Sequence, residues 1–153
     1  MKNDKTVKLL KSEASDENLI YLCTVIEYIV RIRFENRENI VKALGKENLE
    51  NLYKGIEVWS CHTYQATVSI FAERGNIPYG TYDFIQRLRT NIVNPRVVGK
   101  KYALMIENLV EDEGINIIDA IYKVYSDEII EKLIEGRLIP DRLEDDNLDI
   151  CIK

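Results

Sequence analysis

Between Leu19 and Phe34 apolar side chains recur at helical spacing, and they do so on more than one side of the helix they imply. Leu19, Leu22, Cys23, Ile26, Ile29 and Val30 form one stripe, and Ile20, Tyr28 and Ile32 widen it. A helix with one apolar stripe rests on a surface. A helix that is apolar more widely must be covered on several sides. The pattern therefore predicts a central helix with others packed round it. Ser15 or Asp16 supplies its N-cap, with Glu17 at the positive end of the helix dipole, and it runs to about Phe34.

The rest of the chain reads the same way. Arg37 to Leu44 carries Ile40, Val41 and Leu44 and stops at Gly45, either as a separate helix or as a continuation kinked near Asn36. Residues 47–74 read as the clearest long helix, with Leu49, Leu52, Tyr53, Ile56, Trp59, Thr63, Ala66 and Ile70 on one stripe. Gly55 lies inside it at a cost of about 1 kcal/mol relative to Ala, which marks a candidate break. Gly75 and Pro78 end the element, and residues 76–81 form a loop rich in turn residues. Thr81 caps a short helix that ends near Val93. Asn94-Pro95 then opens a helix that runs to Gly114. Another spans Asn116 to Tyr125, and Ser126-Asp127 starts a last one through Ile129, Ile130, Leu133 and Ile134, closed by Gly136. No Asn-Gly or Asp-Gly hairpin separates alternating runs.

The expected architecture is thus all-α: one domain over residues 1–153, a bundle of about six to seven helices round one core. A basic, frayed lead-in (residues 1–14) precedes it. An acidic tail (residues 140–153) follows, in which Ile150 to Ile152 could dock as a short strand or cap. Composition agrees. Of 153 residues 46% are hydrophobic and 31% charged, and Gly (7) and Pro (3) are too scarce for a disordered or low-complexity chain. No targeting segment or membrane span is read. The longest apolar run is broken by Glu27, Arg31 and Arg33. The three cysteines, Cys23, Cys61 and Cys151, are an odd number without metal-ligand spacing, so they are expected to be reduced thiols in a cytoplasmic protein. Cys23 and Cys61 fall in apolar helical patterns, where a free Cys acts as a small hydrophobe. The wealth of Lys, Asn, Ile, Glu and Tyr suggests a low-GC bacterium or its phage.

Catalytic and cofactor signatures are missing. The one histidine, His62, follows Cys61, but neighbours on a helix point about 100° apart and cannot form a nucleophile pair. There is no GxSxG elbow, HExxH, phosphate loop or paired histidine, so no catalytic residue, cofactor or metal ligand is assigned. The acidic run Glu144 to Asp149 lacks the spacing of a calcium loop. Glu27, Glu35 and Glu107 are helix-borne carboxylates that could serve as an acid pair. Glu27 is read instead as a surface charge or the partner of Arg31, four residues on.

Charge is unevenly distributed along a chain of net charge -5. Residues 86–101 hold five bases (Arg87, Arg89, Arg96, Lys100 and Lys101) and no acid, while residues 107–150 hold fourteen acids and four bases. The basic stretch, preceded by Tyr79 and Tyr82, is loosely like a helix-turn-helix whose second helix begins at Pro95, and could bind an anion or nucleic acid. Against this stand the acidic balance and an internal acidic partner in the C-terminal third. Nine tyrosines against three phenylalanines suit half-buried seams and interfaces.

The leading expectation is a non-enzymatic helical protein that works through protein contacts, regulatory in character and self-associating as a homodimer. The alternatives are a nucleic-acid-binding regulator using residues 86–101, and a small-ligand binder or enzyme with a pocket near Trp59, His62 and Tyr64. No membrane partner is expected.

Overall fold

A computed structural model of the chain describes residues 13–88 and 94–138, the side chains of 87, 88, 137 and 138 apart. The described residues form eight helices and no strand: α1 Glu17–Arg33, α2 Arg37–Lys54, α3 Ile56–Trp59, α4 Tyr64–Arg74, α5 Phe84–Leu88, α6 Pro95–Glu113, α7 Ile117–Tyr125 and α8 Glu128–Leu138. None is long and apolar enough to cross a membrane. The expected all-α bundle is what forms. The lead-in up to residue 12, the end of the short helix near Val93, Arg89, and the tail with Cys151 lie outside the described residues.

α1 is the central helix its sequence implies. Leu19, Leu22, Ile26 and Ile29 are wholly buried, and so is Ile20 on the wider stripe. α6 packs along it most closely, α2 and α4 flank it, and α7 closes the core against α2 and α6. The α1–α6 approach depends on Gly99. A Cβ there would lie 2.9 Å from the Thr24 backbone nitrogen and 3.1 Å from the Cys23 carbonyl carbon, closer than side chains tolerate.

Most helix ends follow the chemistry of the caps. Asp16, rather than Ser15, caps α1: its Oδ1 accepts from the amides of Asn18 and Leu19. Asn36 caps α2, Asn94 caps α6 with Pro95 at its first position, and Asn116 caps α7. Gly114 closes α6 in the left-handed region. At Gly45 the backbone turns to φ 78, ψ 168, a conformation that only glycine adopts freely, so α2 is two helical runs joined at a kink.

The long helix read over 47–74 does not form as one piece. The chain breaks at Gly55 and again between Ser60 and Thr63. Where a Cβ at position 55 would sit, the Trp59 indole packs back against Asn51 and donates from Nε1 to its carbonyl at 3.1 Å. Thr63 then starts α4 afresh, its Oγ1 accepting from the Ala66 amide. A cap formed within the apolar pattern overrides its continuity. Three smaller expectations are also corrected. The short helix α5 is capped by Asp83, not Thr81. Gly136 lies inside α8, which runs on to Leu138. Cys61 falls in the broken stretch and is exposed, whereas Cys23 is buried in the core.

Candidate functional site

Two features stand out from the frame: a buried ionic cluster beneath a cavity, and an exposed apolar face on α8. The cluster begins with Glu27, which interrupts the apolar run of α1. It is wholly buried, so it is not a surface charge, and its direct partner is Arg37 rather than Arg31. Arg37 reaches from the first turn of α2 and binds both carboxylate oxygens, Nε to Oε2 at 2.5 Å and Nη2 to Oε1 at 2.7 Å. This forked geometry satisfies a buried carboxylate with two charge-assisted hydrogen bonds. The guanidinium also lies over the Phe84 ring at 4.3 Å and the Tyr102 ring at 5.1 Å. Burial pulls the Arg37 pKa down, but Glu27 outweighs it and holds the group charged, well above its ordinary value.

Tyr82 carries the cluster outward. Its hydroxyl accepts from Arg37 Nη1 at 3.3 Å and lies 3.4 Å from Glu131 and 3.3 Å from Glu135, both on α8. Burial, reinforced by Glu135 and Glu131 against the opposing effect of Arg37, pushes the phenol up to about 12. Above the cluster opens a cavity of about 270 Å³, walled by Tyr82, Tyr102 and Tyr125 and rimmed by Glu38, Asp127 and Glu128. Tyr102 and Tyr125 stack at 4.7 Å with an 11° tilt. Burial raises the pKa of both phenols. A second buried carboxylate, Glu107, receives the backbone amides of Ser15 and Asp16 at 3.0 and 2.8 Å and so orients the chain entering α1. Glu27, Glu35 and Glu107 do not form an acid pair: Glu35 accepts from the Asn39 side chain instead. Among the described residues no group of His, Cys, Asp and Glu could hold a metal ion.

The residues proposed from sequence are dispersed. Trp59 is half-buried, edge-on to Phe71 at 5.0 Å and beneath the Arg74 guanidinium at 5.4 Å. His62 is exposed beside it at 5.8 Å, with Nδ1 3.3 Å from the Val58 carbonyl. Tyr64 packs against Tyr21 at 5.3 Å and Tyr28 at 5.1 Å, and reaches Trp59 only through the Tyr21 hydroxyl, which donates to the Trp59 carbonyl at 3.1 Å. Cys61 turns back to the Glu57 carbonyl. In the basic stretch, Arg96 reaches Glu17 at 3.3 Å, Lys100 is exposed and Lys101 half-buried. The side chains of Arg87 and Arg89 lie outside the described residues. The inner face of α6 that follows Pro95 (Val98, Gly99, Tyr102 and Ala103) is buried in the core.

The second feature was hidden in plain pattern. On α8, Ile134 faces the core at 2% exposure, while Ile129 and Leu133, one turn apart, are 70% and 53% exposed. Ile129 lines a shallow groove of about 640 Å³ between α6, α7 and α8, together with Leu109, Val124 and Ile130 and the Glu113–Lys123 ion pair. The signal was present in the sequence: Ile129, Ile130, Leu133 and Ile134 make two adjacent stripes on a helix of 11 residues, one more than a single buried face uses. The Glu27–Arg37 pair had no such signal, because the two residues sit on different helices.

No protein family, curated protein or solved structure matches this chain.

Proposed function

We propose that this is a non-enzymatic, regulatory protein of the cytoplasm that works through protein contacts, with self-association as a homodimer through α8. Its composition points to a bacterial or phage setting. The observation that carries the reading is the outward pair Ile129 and Leu133. Covering an Ile or Leu side chain is worth about 1.5–3 kcal/mol, and exposed apolar patches beside a groove mark interaction sites. A two-fold axis across α8 brings Ile129 of one copy against Leu133 of the other. Glu128 and Lys132, both exposed and one turn apart on the same helix, give this face opposite charges that an antiparallel partner could match.

Sedimentation equilibrium tests this. Wild-type protein is expected at twice the monomer mass, and Ile129→Glu with Leu133→Glu at the monomer mass with unchanged helicity. A wild-type monomer at high concentration refutes the reading. The nucleic-acid alternative draws support from the exposed Lys100 alone among its described side chains, since Arg96 is engaged with Glu17. Absence of a gel shift at low salt, where phosphate attraction is strongest, ends it.

A further inference from the structure

A third surface, at the C-terminal end of α1, is built to hold something. Phe34 ends that helix in the left-handed region, φ 52 and ψ 45, a conformation rare for a bulky residue. The loop after α4 holds it there. Gly80 donates to the Arg33 carbonyl and Tyr82 to the Phe34 carbonyl, each at 2.8 Å. Only glycine fits at position 80, because a Cβ would stand 2.6 Å from the Phe34 carbonyl oxygen. The result is a preset patch. Tyr79 is 72% exposed, Phe34 and Ile32 are partly open, and the Arg33 guanidinium lies over the Tyr79 ring at 4.6 Å. Arg33 Nε is shielded from water yet has no hydrogen-bond acceptor among the described residues. A buried donor left unmatched is costly, so the site asks for an acceptor, best an anionic one, flanked by apolar contacts.

We infer that this patch of Arg33, Tyr79 and Phe34 is the docking site for the chain's own acidic C-terminal segment, residues 139–153. Three observations converge on that occupant. The segment carries five acids (Asp141, Glu144, Asp145, Asp146 and Asp149) against two bases, with Leu148, Ile150 and Ile152 among them. That is the chemistry the patch lacks. α8, which precedes the segment in the chain, ends close by. Glu135 on α8 touches the Tyr82 hydroxyl, Tyr82 is bonded to Phe34, and Leu138 ends the helix less than one turn later. Fifteen residues span up to about 50 Å when extended, so length sets no limit. The one acid beside Gly80, Glu35, is taken up by Asn39. The inference is independent of dimerisation through α8, which uses other residues.

A spin label on Cys151 tests it in the full chain, with Cys61→Ser so that the buried Cys23 is the remaining thiol. The label is expected to broaden the amide signals of residues 32–34 and 79–82 selectively, with recovery in high salt. Arg33→Gln should weaken the broadening without changing the fold. Mixing spin-labelled, isotopically unlabelled protein with isotope-labelled, spin-free protein separates intramolecular docking from a second copy's tail. The inference is overturned if those amides are unaffected, or if the broadening persists in the mixed sample, where only a second copy's tail carries the label.

Discussion

Replacing Arg37 by methionine is the sharpest test of how this core is held. The substitution keeps an unbranched side chain in the first turn of α2 but removes the group that binds both oxygens of Glu27, a carboxylate with no exposure to water. Leaving a buried charge without its partner costs about 3–5 kcal/mol. Loss of the guanidinium from over Phe84 and Tyr102 adds roughly 0.5–2 kcal/mol more. For a domain whose total stability is about 5–15 kcal/mol, that is a large share. At this chain length each kcal/mol lowers Tm by about 2–4 °C, so a drop of roughly 7–28 °C is expected. The assay is thermal unfolding for Tm and urea unfolding for the free energy, both followed by far-ultraviolet circular dichroism at neutral pH, with an unchanged denaturant slope showing that two-state behaviour survives. The double variant Glu27→Leu with Arg37→Met should be far less destabilised than the sum of its parts, because it removes the charge as well as its partner. A loss under about 1 kcal/mol in the single variant, or simple additivity in the double, would show that water or another cation reaches Glu27 and that the reasoning is wrong.

Other outcomes follow from single contacts. Gly99→Ala should cost about 1–3 kcal/mol by forcing α6 away from Thr24 on α1, and a crystal structure should show the helices displaced; unchanged stability would mean the approach is soft. Asp16→Ala removes both the α1 cap and the acceptor of the Tyr53 hydroxyl at 2.7 Å, so about 1–2 kcal/mol is expected in the same denaturation assay. Tyr82 and Tyr53, both pushed up to about 12 from 10.0, chiefly by burial, keep their protons in the folded state when the unfolded chain has lost them. Their contribution is therefore complete below pH 10 and is lost as pH rises towards 12, so phenolate absorbance should lag on alkaline titration and stability should fall across that window. In a Cys151→Ser background, a thiol reagent should modify the exposed Cys61 readily and reach the buried Cys23, its pKa raised by burial, only on unfolding.

The helical nature of this chain was written in local terms. The broad apolar stripe of Leu19 to Phe34 required a covered central helix, and Asp16, Asn94-Pro95, Gly114 and Asn116 marked ends through bonds made within a few residues. Periodicity and capping depend on neighbours in sequence, so they can be read there. Where two local signals competed, as at Gly55 and Thr63, packing of Trp59 onto Asn51 decided between them. The ionic cluster was not legible at all. Glu27 had Arg31 four positions on as its apparent partner, and only the angle at which α2 leaves α1 brings Arg37 to it. Nor could sequence separate Ile134 from Leu133 on α8, since one stripe meets α6 and α7 while its neighbour faces outward. Local hydrogen bonding and the 3.6-residue period thus determined which segments are helices. Which side chains meet, which charge is buried and which apolar face is left over are properties of helix packing, set by contacts between residues far apart in the chain.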